Sequence, residues 1–231
     1  RLVTPIDDLK RSALMFQGAG INFNLNAQTK KLWQIGLNLN GGPGGNDFYE
    51  PRVTGRVFRN KGRIGMYGYW NSNETKKFSW GGNFFVGTGG VFKRTSMDIS
   101  IFGKIRFNSK FSIDNSISTE NGKDNSGWAD IIDNPGAAPT VIFSRRNINT
   151  VEDVLNMKYN FTNKMGLTLR VRHYWSKVDP QQYYELDKYG DLQTPTVAYT
   201  RNRSQNYNFF SADLVYTWQF APGSFINIVW K

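Results

Sequence analysis

The chain has 231 residues, enough for one large β domain or two small ones, with 39% hydrophobic and 15% aromatic content. It has no cysteine and one histidine, His173, which excludes a disulfide framework, a thiolate metal site and His-rich zinc or haem ligation. The net charge of +11 invites a nucleic-acid reading, but Lys and Arg are scattered through alternating segments with no nucleic-acid-binding motif among them; charge facing a lumen or lipid headgroups accounts for it better.

Residues 1–16 form a lead-in of mixed charge with a break at Pro5, and its structure is left open. From there to residue 231 the sequence reads as strands. Ile21, Phe23 and Leu25 alternate with Asn22, Asn24 and Asn26; after a turn at 28–30, Trp33, Ile35, Leu37 and Leu39 alternate with Gln34, Gly36, Asn38 and Asn40. Two further strands place Ile64, Met66, Gly68 and Trp70, then Phe78, Trp80, Gly82, Phe84 and Val86, on their apolar sides. Met97, Ile99, Ile101, Ile105 and Phe107 lead through a turn at 108–110 into Phe111, Ile113 and Ile117.

The clearest hairpin follows. Leu155, Met157, Tyr159 and Phe161 oppose Asn156, Lys158 and Asn160; beyond Asn163-Lys164, Met165, Leu167, Leu169 and Val171 oppose Thr168, Arg170, Arg172 and Tyr174. Period-two alternation is that of a strand, because successive side chains point to opposite faces. A last pair runs through Phe210–Phe220 and, after the turn 221–224, Ile226–Trp230. These runs lack the three- and four-residue apolar spacing of an amphipathic helix, so the prediction is an all-β antiparallel up-and-down barrel with about ten strands in this segment.

No window reaches the roughly 18 apolar residues of a transmembrane helix, but a transmembrane strand needs only about ten residues of alternating polarity. Connections sort by length: short breaks at 28–30, 108–110, 163–164 and 221–224, long loops near 41–61, 120–139 and 179–205. Short turns at one end and long loops at the other are the pattern of an outer-membrane barrel. The competing reading is a soluble β-sandwich with one solvated face. If the short turns are periplasmic, the first strand runs down and the last runs up, so the segment is expected to be an internal piece of a larger barrel of even strand number.

The stretches FSRRNINTVEDVLNMKYNFTNKMGLTLRVRHYWSKVD (143–179) and YTWQFAPGSFINIVWK (216–231), with YEPRV (49–53), resemble the C-terminal part of a family of Bacteroidota outer-membrane proteins. In that family a carbohydrate-binding-like β-sandwich precedes a barrel of uncharacterised function. The resemblance implies a bacterial outer-membrane location and a chain that continues past residue 231. The sugar-binding role of the sandwich cannot be carried to these residues.

On this register Lys104, Arg106, Lys158, Arg170 and Arg172 face the lumen. They either form a cationic path for anionic solutes or pair with inward Asp98, Asp114 and Asp213, the pairing being favoured because buried charges need partners. Trp33, Trp70, Trp80, Tyr159, Trp175 and Trp218 lie near strand ends as an aromatic girdle. Arg145-Arg146 with Lys93-Arg94 near the mouth are read as solvated charge rather than a lipopolysaccharide phosphate site. Asp124, Asp130 and Asp133, or Asp187 with Asp191, lack EF-hand spacing and are read as loop carboxylates rather than a calcium site.

No nucleophile–base pair or nucleotide motif is present, so the expectation is a non-enzymatic protein without cofactor. Its expected partners are outer-membrane lipid, lipopolysaccharide and envelope proteins held by the long loops, and not nucleic acid. A pore or uptake component is favoured. The alternatives are a plugged scaffold barrel and a soluble carbohydrate-binding sandwich.

Overall fold

A computed structural model describes residues 18–231, together with the backbone of Leu2–Val3 (β1) and Met15–Phe16 (β2), which pair antiparallel. The rest of the predicted 1–16 lead-in lies outside the described residues. The other strands are β3 (Ile21–Gln28), β4 (Gln34–Asp47), β5 (Phe58–Asn71), β6 (Phe78–Gly89), β7 (Arg94–Arg106), β8 (Phe111–Ile132), β9 (Thr140–Asn160), β10 (Met165–Leu186), β11 (Leu192–Gln193), β12 (Gln205–Ala221) and β13 (Ser224–Trp230). They form one sheet in the order β13-β12-β10-β9-β8-β7-β6-β5-β4-β3, with β11 added beside the end of β10. Every pairing is antiparallel, so the chain is an up-and-down meander. The all-β expectation holds, and among the described residues the sheet does not close: β3 and β13 are its edges.

The register preserves the alternation read from the sequence. Leu169 lies opposite Met157 and Leu214, while its neighbour Arg170 lies opposite Asn156 and Asp213. Ile105 likewise opposes Ile113 and Phe78, and Lys104 opposes Asp114 and Ser79. Cross-strand partners share a side, so the whole sheet acquires one apolar and one polar face.

The long loops need correction. Residues 41–47, 58–61, 120–132 and 179–186 are strand, leaving only 48–57, 133–139 and 187–204 as connections, with 192–193 paired inside the last. Alternation marks a strand only where its two faces meet different surroundings. Thr119–Gly127 is polar on both faces and Gly41–Gly45 has almost no side chains, so neither carries that signal.

At this upper end the sheet builds a core. Phe58, Val141, Phe143 and Leu186 are buried together, with Val53, Val91, Trp128 and Leu192 against them. Phe58 and Phe143 come from strands four apart in the sheet, and their rings sit 4.7 Å apart. β8 carries an extra residue between Gly122 and Asn125 and another between Trp128 and Asp130; β10 carries one between Pro180 and Gln182. Such bulges bend a strand, and here all three lie in the upper part of the β8–β10 ribbon.

Candidate functional site

The polar face divides in two. Across β7–β12 it is charged: Lys104, Arg106, Asp114, Lys158, Arg170, Arg172 and Asp213 all take the polar register. Among the described residues no ion pair joins these cations to Asp98, Asp114 or Asp213. Arg172 forms its ion pair with Glu152, and its guanidinium lies 5.2 Å from the Tyr174 ring centre. Asp114 accepts a 2.8 Å hydrogen bond from the Asn156 amide, Arg106 donates to the Glu74 carbonyl, and Arg170 lies opposite Asp213. Asp98 lies opposite another acid, Glu120, a neighbour hidden from the sequence reading because residue 120 was expected to open a loop.

Across β3–β6 the same face is uncharged from the short-turn rim up to Arg63. Asn24, Asn38 and Asn40 form an amide ladder, with bonds of 2.6 and 3.0 Å, and the Tyr69 hydroxyl donates to Asn26 at 3.0 Å. Glycines interrupt this wall at Gly36, Gly65, Gly81 and Gly87.

The apolar face carries exposed Ile21, Phe23, Ile64, Met97, Ile101, Phe210 and Ile228, and among the described residues no second layer covers it. Near the short turns aromatic rings follow one another across this face. Trp80 touches Trp33 and Trp70 at 5.7 and 6.4 Å, Phe111 stacks on Phe107 at 5.0 Å, Tyr159 meets Phe111 and Phe161, and Trp218 meets Phe220. Five of the six expected girdle residues belong to this row. Trp175 stands farther up β10, where the face turns polar: its indole donates to Asn206 and His173 bonds Asn208, each at 2.9 Å.

The upper core is fastened by ionic groups. Asp130 accepts hydrogen bonds from the Tyr199 hydroxyl at 2.6 Å, Arg201 at 3.2 Å and Arg203, tying the 187–204 connection to β8. Burial pushes this carboxyl up, but the bonds from Arg203 and Tyr199 outweigh it and hold it at about 2. Arg56 donates to the carbonyls of Leu186 and Asp187, and the Arg59 amide donates to Gly190. Asp124, at φ +57° in the first β8 bulge, accepts from Arg145 at 2.6 Å. Arg146 donates to the Trp128 carbonyl while Arg52 lies 3.9 Å over the Trp128 ring. Burial pushes the Arg146 guanidinium down, opposed by Glu50 and reinforced by Arg52. Asp124 and Asp130 therefore sit on a strand and bind guanidinium groups, where loop carboxylates were expected. Arg146 is a half-buried tie rather than solvated charge, while Arg145 pairs with Asp124 and keeps its side chain 41% exposed. Asp187 accepts the amides of Tyr189 and Asp191, closing a turn. No group of metal-ligating side chains is assembled among the described residues.

A family model described as a domain of unknown function (DUF5916) matches residues 7–231. The chain belongs to this family. Comparison with curated proteins and with solved structures gives no match. The DUF5916 domain thus presents three places where chemistry concentrates: a bare apolar face, a divided polar face and an ionically fastened upper core. The sequence carried a hint of the division of the polar face. Glycine inside a strand signals a close approach, and Gly36 and Gly81 both interrupt polar-face runs. The Asp130 clamp had no such signal, because its partners come from residue 199 onward.

Proposed function

We propose that this DUF5916 domain is part of a bacterial outer-membrane β-barrel, non-enzymatic, whose apolar face meets lipid and whose polar face lines a water-filled passage. The observation that carries this reading is the uncovered apolar face across β3–β13, with Ile21 81% and Ile228 61% exposed at opposite edges. A soluble sandwich buries such a face under a second sheet about 10 Å away, and contiguous apolar surface on this scale marks a binding partner or a membrane. Only a closed barrel satisfies backbone groups in lipid when the spanning elements are strands. The aromatic row beside the short turns supports an interfacial girdle there. The charged half of the polar face supports a wet interior, since Lys104, Lys158 and Arg170 need hydration or counter-charge.

This reading keeps the resemblance to Bacteroidota outer-membrane barrels and takes lipid and lipopolysaccharide as partners, with envelope proteins held at the upper end. It takes a pore or uptake component over a plugged scaffold on the charged half of the polar face, which suits a water-filled passage. The test is refolding of the full-length protein with phospholipid vesicles, followed by flotation and planar-bilayer recording. Flotation with vesicles and stepwise ion current are expected. Detergent-free solubility without flotation would overturn the membrane reading, and flotation without current would overturn the pore.

A further inference from the structure

Three glycines on the uncharged half of the polar face have the same surroundings. At Gly36 a Cβ would stand 2.0 Å from the Tyr69 ring and 2.7 Å from the Asn26 amide oxygen. At Gly65 it would stand 2.7 Å from the Phe85 ring and 3.2 Å from Asn40. At Gly81 it would stand 2.6 Å from the Phe102 ring and 2.7 Å from Asn71. In each case the asparagine is the glycine's register partner on the preceding strand, and the ring comes from the following strand. Phe85 also covers Gly87, the cross-strand partner of Gly65.

The physical consequence is a wall with flat rings set into it. A ring that fills the space above a glycine takes the place of its side chain, and where it lies along the sheet one face is spent on backbone and the other is left toward the polar side. The half-buried state of Tyr69, Phe85 and Phe102 fits this orientation. Beside each ring stands a neutral amide, which offers both a donor and an acceptor. Strand spacing and rise place Gly36 about 14 Å from Gly65 and about 12 Å from Gly81, with Gly65 and Gly81 about 21 Å apart. No Lys, Arg, Asp or Glu takes the polar register between the three glycines on β4–β6, while on β7 Asp98 lies opposite Phe85 and Lys104 stands two residues from Phe102 on the same face.

The geometry points to a binding wall for an uncharged oligosaccharide, on which Tyr69, Phe85 and Phe102 stack the C–H faces of pyranose rings. Asn26, Asn40 and Asn71 exchange hydrogen bonds with neighbouring hydroxyls. Flat apolar faces rimmed by vicinal hydroxyls are the surfaces of a neutral sugar, and a face of rings edged by amides is their complement. An anionic solute finds no cation between the three glycines, and an apolar one gains nothing from the amides. A chain of several units is needed to reach all three rings. This inference rests on the reading of the polar face as the water-filled side of a barrel.

The apolar face supplies an internal control. Phe84 lies over Gly68 in the same kind of joint, 2.4 Å from where a Cβ would stand, but on the side assigned to lipid. The experiment is calorimetric titration of the full-length protein in a zwitterionic, sugar-free detergent with maltohexaose, cellohexaose and chitohexaose, and with hexagalacturonate as the charged counterpart. Saturable binding of at least one neutral hexasaccharide is expected. Tyr69→Leu, Phe85→Leu and Phe102→Leu should each weaken it three-fold or more, and Phe84→Leu should leave it within two-fold. Absence of saturable binding for all three neutral chains, equal or tighter binding of hexagalacturonate, or an equal loss in Phe84→Leu would overturn the proposal. Flotation with vesicles is measured on the same preparations. A protein that floats and binds no neutral chain refutes the saccharide wall alone, whereas one that fails to float removes the barrel reading beneath it.

Discussion

The two ends of β9 share one register and have opposite fates. Near the short turn, Leu155, Met157 and Tyr159 project from the apolar face with nothing over them, and Tyr159 is 41% exposed. Near the other end, Val141 and Phe143 have the same parity and are completely buried. The difference is what stands opposite. Low on the strand there is only the next strand of the same sheet. High on it, bulges in β8 and β10 bend the ribbon until Phe143 reaches Phe58 of β5. Alternation therefore says that a face is apolar, and the third dimension says whether protein covers it.

The largest test of this contrast is a pair of truncations. Phe143→Ala should cost about 3–5 kcal/mol, because it opens a cavity in a packed core. Ile101→Ala, on the bare face, should cost about 1 kcal/mol or less, because fluid lipid leaves no void and only the side chain's transfer preference is lost. Urea unfolding of vesicle-inserted protein measures both. Similar costs would mean that the apolar face is packed against protein.

A smaller effect concerns how the upper end is held. The Asp130 carboxyl is depressed in the folded state, to about 2. Its contribution is therefore fully present above the unfolded carboxylate value of about 3.9 and is lost as pH falls through about 2. Pepsin cleavage within 187–204 should rise as pH falls from about 4 to about 2, while the lower strands stay protected. Asp130→Asn should allow proteinase K to cut the same connection at neutral pH. Unchanged cleavage in that variant would show that the apolar core alone holds the connection.

The sequence exposed the strands best where their two faces differ. Leu155–Asn160 and Met165–Arg172 were legible to the residue, since one side carries apolar groups and the other polar ones. Thr119–Gly127 was not, because a strand that is wet on both faces has no period to read. The run Val141-Ile142-Phe143 carried a different signal, unbroken hydrophobicity, which marks burial on both faces. The polar face was legible as polar, but its partners were not: Arg172 chose Glu152, and Asp130 chose residues some seventy positions away. Long-range partners depend on bulges and on the path of a connection, neither of which leaves a local pattern. The glycine platforms lay between these cases, with Gly36, Gly65 and Gly81 visible and the rings above them set by cross-strand register alone.

In the proposed barrel, neighbouring residues on one strand look out on lipid and on water. Spin labels at Ile101 and Ser100 of β7, placed one at a time in vesicle-inserted full-length protein, test this most directly. Ile101 is predicted to collide with dissolved oxygen and be shielded from a water-soluble nickel chelate, and Ser100 to show the reverse. Equal access of the chelate to both positions would contradict the account.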